Sequence, residues 1–250
     1  MPAEDPFQPC AIIPVYNHEG PVIRVVAALR AAGLPVILVD DGSEEICAEQ
    51  LRALASQADV HLCVHPVNRG KGGAVKTALK KASTLGFSHA LQVDADGQHD
   101  LEDVGRFLTA SRGQSDALIL GQPVFDDSIP RVRKIARYLT HGMVAINTLS
   151  GHLVDSMCGY RIYPLLRVLR ILETSATGDR MDFDTEILVR WFWERYPVAT
   201  LTTRVRYPED GRSHFRLVLD NWFITRMHTR LFFGMLWRLP RLLMQRAQGT

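Results

Sequence analysis

At 250 residues, 46% hydrophobic and 22% charged, with a mean hydropathy of −0.03, the chain carries enough apolar matter for one sizeable core and is not a low-complexity or disordered polymer. No apolar run approaches the ~18 residues that span a bilayer, and Met1 to Gln8 lacks the basic start and apolar stretch of a signal peptide, so a cytoplasmic chain is expected. The net charge is only +2, but residues 1–60 hold three Arg against nine acids, and residues 204–250 hold nine Arg against three acids.

In chain order, "CAIIPV" (10–15) reads as a buried strand and "GPVIRVVAALRAAG" (20–33) as an amphipathic helix ending on glycine. Strands at 35–40, 60–65, 89–94 and 116–121 alternate with helices at 44–57, 73–84 and about 101–111. Continuous apolar strands separated by helices predict a parallel sheet covered on both faces, an α/β fold. The second half is mixed. A basic helix at about 131–149 leads into "CGYRIYP" (158–164), then helices near 165–173 and 182–195, and a half-buried strand within 198–208. An arginine-rich amphipathic helix closes the chain. The four cysteines, Cys10, Cys47, Cys63 and Cys158, form no CxxC pair, and three sit in or beside apolar runs, as reduced core cysteines do.

Ligands of open parallel sheets bind beyond the carboxyl ends of the strands. Two strands here end in acids: "VDDGS" (Asp40, Asp41) and "VDADGQH" (Asp94, Asp96, Gln98). Asp94 and Asp96, two apart at a strand end, can point to one side and offer hard oxygens to Mg²⁺ or Mn²⁺. A calcium EF-hand is excluded, because Gly97 falls at loop position 4 and Gly105 occupies position 12. Asp100 reads as a helix cap. "NRGKGGAVKTAL" (68–79) is neither a Walker loop nor GxGxxG, yet its glycines open a helix whose free N–H groups suit an anion, with Lys71 at hand. "GDRMDFDTEILVRW" (178–191) gathers Asp182, Asp184 and Glu186 at a helix start. The helix dipole alone favours acids there, but one of them could serve as a general base. "RVRYPEDGRSHFR" (204–216) sets arginines around a turn, where they could bind phosphate or simply form a basic surface.

Together "IIPVYNHEG", "ILVDDGS", "NRGKGGAVKTAL", "LQVDADGQHD", "DSMCGYRIYP" and "MDFDTEILVR" resemble the family 2 glycosyltransferases of GT-A fold, nearest to the dolichyl- or polyprenyl-phosphate sugar transferase type. The resemblance covers roughly residues 10–216. It implies a GT-A domain over 1–216 and a basic helical extension over 217–250. It implies that Pro14, Tyr16 and Asn17 line the base pocket, that Asp40 binds base or ribose with Asp41 beside it, and that Asp94 and Asp96 form the DxD motif holding a divalent metal against the nucleotide diphosphate. Gln98 would assist there, and Arg131, Arg137 and the Arg212–Ser213 turn would face phosphates or acceptor. The sequence departs from the type at His18, at Gly121-Gln122-Pro123, at Asp184 and near His214, positions that bear on the acceptor.

The activity so implied is an inverting, metal-dependent transfer of sugar from a nucleotide diphosphate sugar (uridine, guanosine or thymidine) to a lipid or lipid-linked acceptor. A hydroxyl acceptor needs a base, and the acid at Asp184, where the type lacks one, favours a hydroxyl, with Asp184 as base and Glu186 as the other candidate. A phosphate acceptor needs none. Nucleic acid is not an expected partner. Two rival classes are a sugar nucleotidyltransferase, whose glycine-rich N-terminal loop "IIPVYNHEG" does not supply, and a non-catalytic nucleotide-binding module. The terminal helix could lie on an anionic membrane, pack on the core, or make a dimer contact.

Overall fold

The computed structural model describes residues 7–125, 131–150, 155–205 and 217–247. Its strands are β1 (Pro9–Val15), β2 (Val36–Asp40), β3 (Val60–Val64), β4 (His89–Gln92), β5 (Leu118–Phe125), β6 (Arg161–Pro164) and β7 (Val198–Val205). Its helices are α1 (Glu19–Ala31), α2 (Glu45–Ala55), α3 (Lys71–Thr84), α4 (Val104–Gly113), α5 (Arg131–Thr148), α6 (Leu165–Thr174), α7 (Phe183–Trp193) and α8 (Leu217–Ala247). The seven strands form one sheet in the order β3-β2-β1-β4-β6-β5-β7.

Alternate side chains of β1 go to opposite faces, as the period of two demands. Ala11, Ile13 and Val15 join the core that α1, α2 and α4 cover, while Cys10 and Ile12 join the core under α3, α6 and α7. That double covering explains why the strands read as unbroken apolar runs. The four expected early strands pair in parallel, with β1 between β2 and β4. The fifth does not join β4 directly. "RIYP", which had no strand assignment, enters as β6 and runs antiparallel to both β4 and β5. Ile162 and Tyr163 feed the two opposite cores, so β6 meets the same burial pattern as its neighbours in only four residues.

Asp100 caps as expected: its side chain accepts from Glu102 N (3.1 Å) at the head of a short 3-10 turn, Leu101–Asp103, that precedes α4. On α8, Met227, Leu231, Met235 and Leu242 pack with Val144 of α5 and Val189 and Trp193 of α7 in a third apolar cluster. The opposite stripe, Trp222, Phe233, Trp237 and Met244, faces solvent. None of the described helices is long and apolar enough to cross a membrane.

Candidate active site

The order β2-β1-β4 puts a topological switch at β1, so the crevice beyond its carboxyl end is walled by the loops after β1, β2 and β4. The first two loops are laced together. Asp40 Oδ1 accepts from Ser43 N (2.8 Å), Ser43 Oγ accepts from Asn17 N (3.1 Å), and Asn17 Oδ1 accepts from Glu44 N (2.8 Å). Asn17 takes φ 53°, a left-handed turn that asparagine tolerates well. Pro14 and Tyr16 stay partly exposed beside this lacing, and Asp40 is buried within it.

Asp41, expected beside the nucleotide, is buried and engaged on both oxygens by protein groups. It is 2% exposed. Its Oδ1 accepts from Arg69 N (2.9 Å) and lies 2.7 Å from His65 Nδ1, while its Oδ2 accepts from Gly70 N (2.7 Å). Both oxygens are spent on shaping the glycine-rich loop, and His65 passes the bonding on to Thr77 Oγ1 (2.9 Å).

That loop delivers Lys71 at the start of α3. Gly70 has φ +95°, and a Cβ there would sit 2.6 Å from Asp179 O, so only glycine fits. Lys71 Nζ lies 2.8 and 3.0 Å from the two oxygens of Asp94 and 2.9 Å from Asp184 Oδ2. Burial works against the ammonium, but the Asp184 and Asp94 carboxylates outweigh it and raise its pKa. Burial likewise opposes the charge on Asp94, yet Lys71, then His99 with Nε2 at 3.4 Å, hold that carboxyl well below the usual range. A Cβ on Gly159 would lie 2.7 Å from both Asp94 Oδ2 and Lys71 Nζ, so this strand-flanking glycine makes the pair possible.

Asp96 is in the opposite condition. Burial, then the neighbouring Asp94 charge, raise its pKa. Its Oδ1 accepts from Gln98 N (3.0 Å). Asp94, Asp96, Gln98 and His99 line a cleft whose other wall includes Pro123, Arg137 and Met157. Arg137 is ion-paired with Asp155, whose Oδ1 accepts from Met157 N and Cys158 N (2.8 and 3.0 Å). Of the other expected residues, the Arg131 side chain and the whole of Arg212 and Ser213 lie outside the described residues.

Behind the cleft runs a buried polar chain that sequence reasoning did not single out. Tyr163 donates to Gln92 Oε1 (3.2 Å), Gln92 Nε2 donates to Asp184 Oδ1 (3.2 Å), and Asp184 faces Lys71. Arg161, fully buried, donates to the carbonyls of Cys158 and Asp184 (2.9 Å each). His99 stacks on Tyr160 at 5.0 Å. The available signal was a polar residue inside an apolar strand: Gln92 in "HALQVD", Arg161 in "RIYP". Glu186, one of the two expected bases, is not in this chain. It is 0% exposed, bonded by Gly178 N (2.8 Å) and Arg190 Nε (2.9 Å), and ion-paired with Arg230. Both its oxygens are held by protein donors, an arrangement that favours a structural role over that of a base.

The donor set fits a hard divalent cation shared with a ligand. Asp94 Oδ1 touches Lys71 without hydrogen-bond geometry, and the Asp96 carboxyl, raised by burial and then by the Asp94 charge, is one whose ionised form a cation would stabilise. Among the described residues no three His, Cys, Asp or Glu side chains form a closed cage. Mg²⁺ and Mn²⁺ sites completed by substrate phosphates need only one or two carboxylates.

The Glycosyl transferase family 2 model matches residues 10–169. The chain belongs to glycosyl transferase family 2. This glycosyltransferase is 28% identical over 198 residues to a UDP-N-acetylglucosamine–dolichyl-phosphate N-acetylglucosaminyltransferase of Methanococcus voltae, covering 71% of this chain and 77% of that one. It is 27% identical over 176 residues to the polyprenol monophosphomannose synthase of Mycolicibacterium smegmatis, covering 68% and 66%. Its fold is GT-A-like. A glucosyl-3-phosphoglycerate synthase from Mycobacterium tuberculosis, solved with Mn²⁺, UDP-glucose and phosphoglyceric acid, superposes with a TM-score of 0.65 at 15% identity, over 92% of this chain and 80% of that one.

Proposed function

We propose that this glycosyltransferase moves a sugar, with inversion, from a nucleotide diphosphate sugar to a polyprenyl-phosphate acceptor. The observation that carries the reading is the Asp94–Lys71–Asp184 chain beside Asp96 at the switch-point crevice. The laced loops at Tyr16–Asn17 and Asp40–Ser43 would receive the nucleoside. Asp94 and Asp96 would hold a divalent metal, Mg²⁺ or Mn²⁺, which offsets charge developing on the departing diphosphate. Lys71 would add a fixed positive charge beside it, and Gln98 would orient a diphosphate oxygen. The acceptor oxygen attacks the anomeric carbon from the far face as the bond to the diphosphate breaks, and the nucleoside diphosphate leaves with the electron pair.

A phosphate acceptor suits the site better than a hydroxyl. It is already ionised and needs no base. Asp184 has one oxygen on Lys71 and the other on Gln92, and Glu186 is sealed. The Methanococcus and Mycolicibacterium relatives named above carry polyprenol-type lipids in their descriptions. Titration with UDP- and GDP-sugars, with and without Mn²⁺, tests the donor half. Binding should need Mn²⁺ and be lost in Asp94→Asn. Equal binding in all arms would remove the reading.

The acceptor places the enzyme at a lipid surface, and α8 offers the contact. Trp222, Phe233, Trp237 and Met244 share one exposed stripe, with Arg226 and Arg241 also exposed. Aromatic and arginine side chains on a helix already fixed by its other face suit an anionic bilayer. Sedimentation with anionic vesicles should carry down the wild type and leave a Trp222→Ser/Trp237→Ser variant in solution. Equal sedimentation of the two would reject this contact.

A further inference from the structure

The loop between α6 and α7 is gripped from two sides. On one side it is fastened to the glycine-rich start of α3: Asp179 O accepts from Gly73 N (2.8 Å), and Lys76 Nζ donates to Thr177 O and Asp179 Oδ1 (2.8 Å each). The missing side chain of Gly70 leaves room for Asp179 O. On the other side it is fastened to α8. Gly178 N donates to Glu186 Oε2, the oxygen that also takes the ion pair from Arg230 of α8. The Arg180 guanidinium lies 5.6 Å from the Phe223 ring of the same helix.

Glu186 does not need Arg230 for neutrality. Arg190, one turn along α7, already binds its Oε1 through two nitrogens (2.9 and 2.7 Å) and reaches on to Ala176 O (2.9 Å). A second guanidinium on a sealed carboxylate fixes position more than charge, because its geometry is directional. The path from it is short: Arg230 to Glu186, Glu186 to Gly178 N, Asp179 O one residue on to Gly73 N, and the Gly70–Gly73 turn to Lys71.

We infer that Arg230 is a positioning residue for the donor site, seating the 176–182 loop so that the glycine-rich turn presents Lys71 to Asp94 and Asp184. The proposed donor chemistry enters only through the consequence for nucleotide affinity. The local consequence stands by itself.

Hydrogen exchange read by mass spectrometry tests it on the full chain without ligand. In Arg230→Gln, peptides covering 69–75 and 176–182 should exchange about tenfold faster, a change of about 1.4 kcal/mol, while peptides of β1, β2 and β4 keep wild-type rates. Arg230→Lys should recover part of the protection. The affinity for UDP or GDP with Mn²⁺ should fall by a similar factor in Arg230→Gln. If Arg230→Gln does not fold, Phe223→Leu, which removes the ring under Arg180, should show the same two peptides loosened to a smaller degree. Wild-type exchange in both peptides, or loosening spread evenly over the sheet, overturns the inference. A wild type that binds no nucleotide sinks the donor reading and leaves the exchange result decisive for Arg230.

Discussion

The ends of β2 and β4 carry similar sequence, an aspartate pair closing on glycine, and the fold uses them in opposite ways. At β2, Asp40 and Asp41 are both 2% exposed, and the oxygens of Asp41 are consumed by His65 and the N–H groups of Arg69 and Gly70. At β4, Asp94 and Asp96 line an open cleft, one balanced by Lys71 and the other pushed toward its neutral form by burial and by Asp94. A carboxylate saturated by backbone donors shapes a loop. A carboxylate left short of donors is poised for a ligand.

Substitution can break that comparison. Asp96→Asn should cost about a thousandfold in transfer rate, the scale of losing one electrostatic element of a transition state, with no loss of thermal stability. A fully active variant would put the β4 end in the same class as the β2 end. Arg161→Met should act on the scaffold under β4 and cost about 3–5 kcal/mol in denaturant unfolding, because it strips donors from the buried Cys158 and Asp184 carbonyls. A change below about 1 kcal/mol would show that water replaces the guanidinium.

Asp41→Asn should lower stability by about 1–3 kcal/mol, since an amide NH₂ would meet backbone N–H donors. Turnover of the folded fraction should fall far less than in Asp96→Asn. A loss of turnover at unchanged stability would return Asp41 to the ligand pocket.

The smallest effect concerns pH. The folded state raises the Asp96 pKa, so it holds that proton more tightly than the unfolded chain does. Ionising Asp96 therefore costs the metal-free fold stability once pH rises above the unfolded value of about 3.9. Asp96→Asn should melt higher than wild type near pH 7, and the gap should close below about pH 4. A gap of the opposite sign would mean the Asp96 charge is satisfied, as at β2.

Much of this was legible in the sequence because it is local. Apolar runs bounded by glycine and acid give the parallel strands, and the i, i+2 spacing of Asp94 and Asp96 marks a strand-end pair. What stayed hidden depends on contacts distant in the chain. The bonds that engage Asp41 come from Arg69 and Gly70, 28 and 29 residues away. Glu186 is sealed by Arg230, 44 residues on. "RIYP" is too short for its period to be read, and only the gap between β4 and β5 makes it a strand. Gln92 bonds Asp184 across 92 residues, a separation over which no motif spacing exists.

The most direct test of the central claim is product analysis. The enzyme with Mn²⁺ and a panel of UDP-, GDP- and dTDP-sugars is offered a polyprenyl phosphate and, separately, the corresponding free polyprenol, and products are identified by mass spectrometry. The account predicts a polyprenyl-phosphate sugar from at least one donor, absent with Asp96→Asn and absent with the free alcohol. Transfer to the alcohol alone, or equal product from wild type and Asp96→Asn, would contradict it.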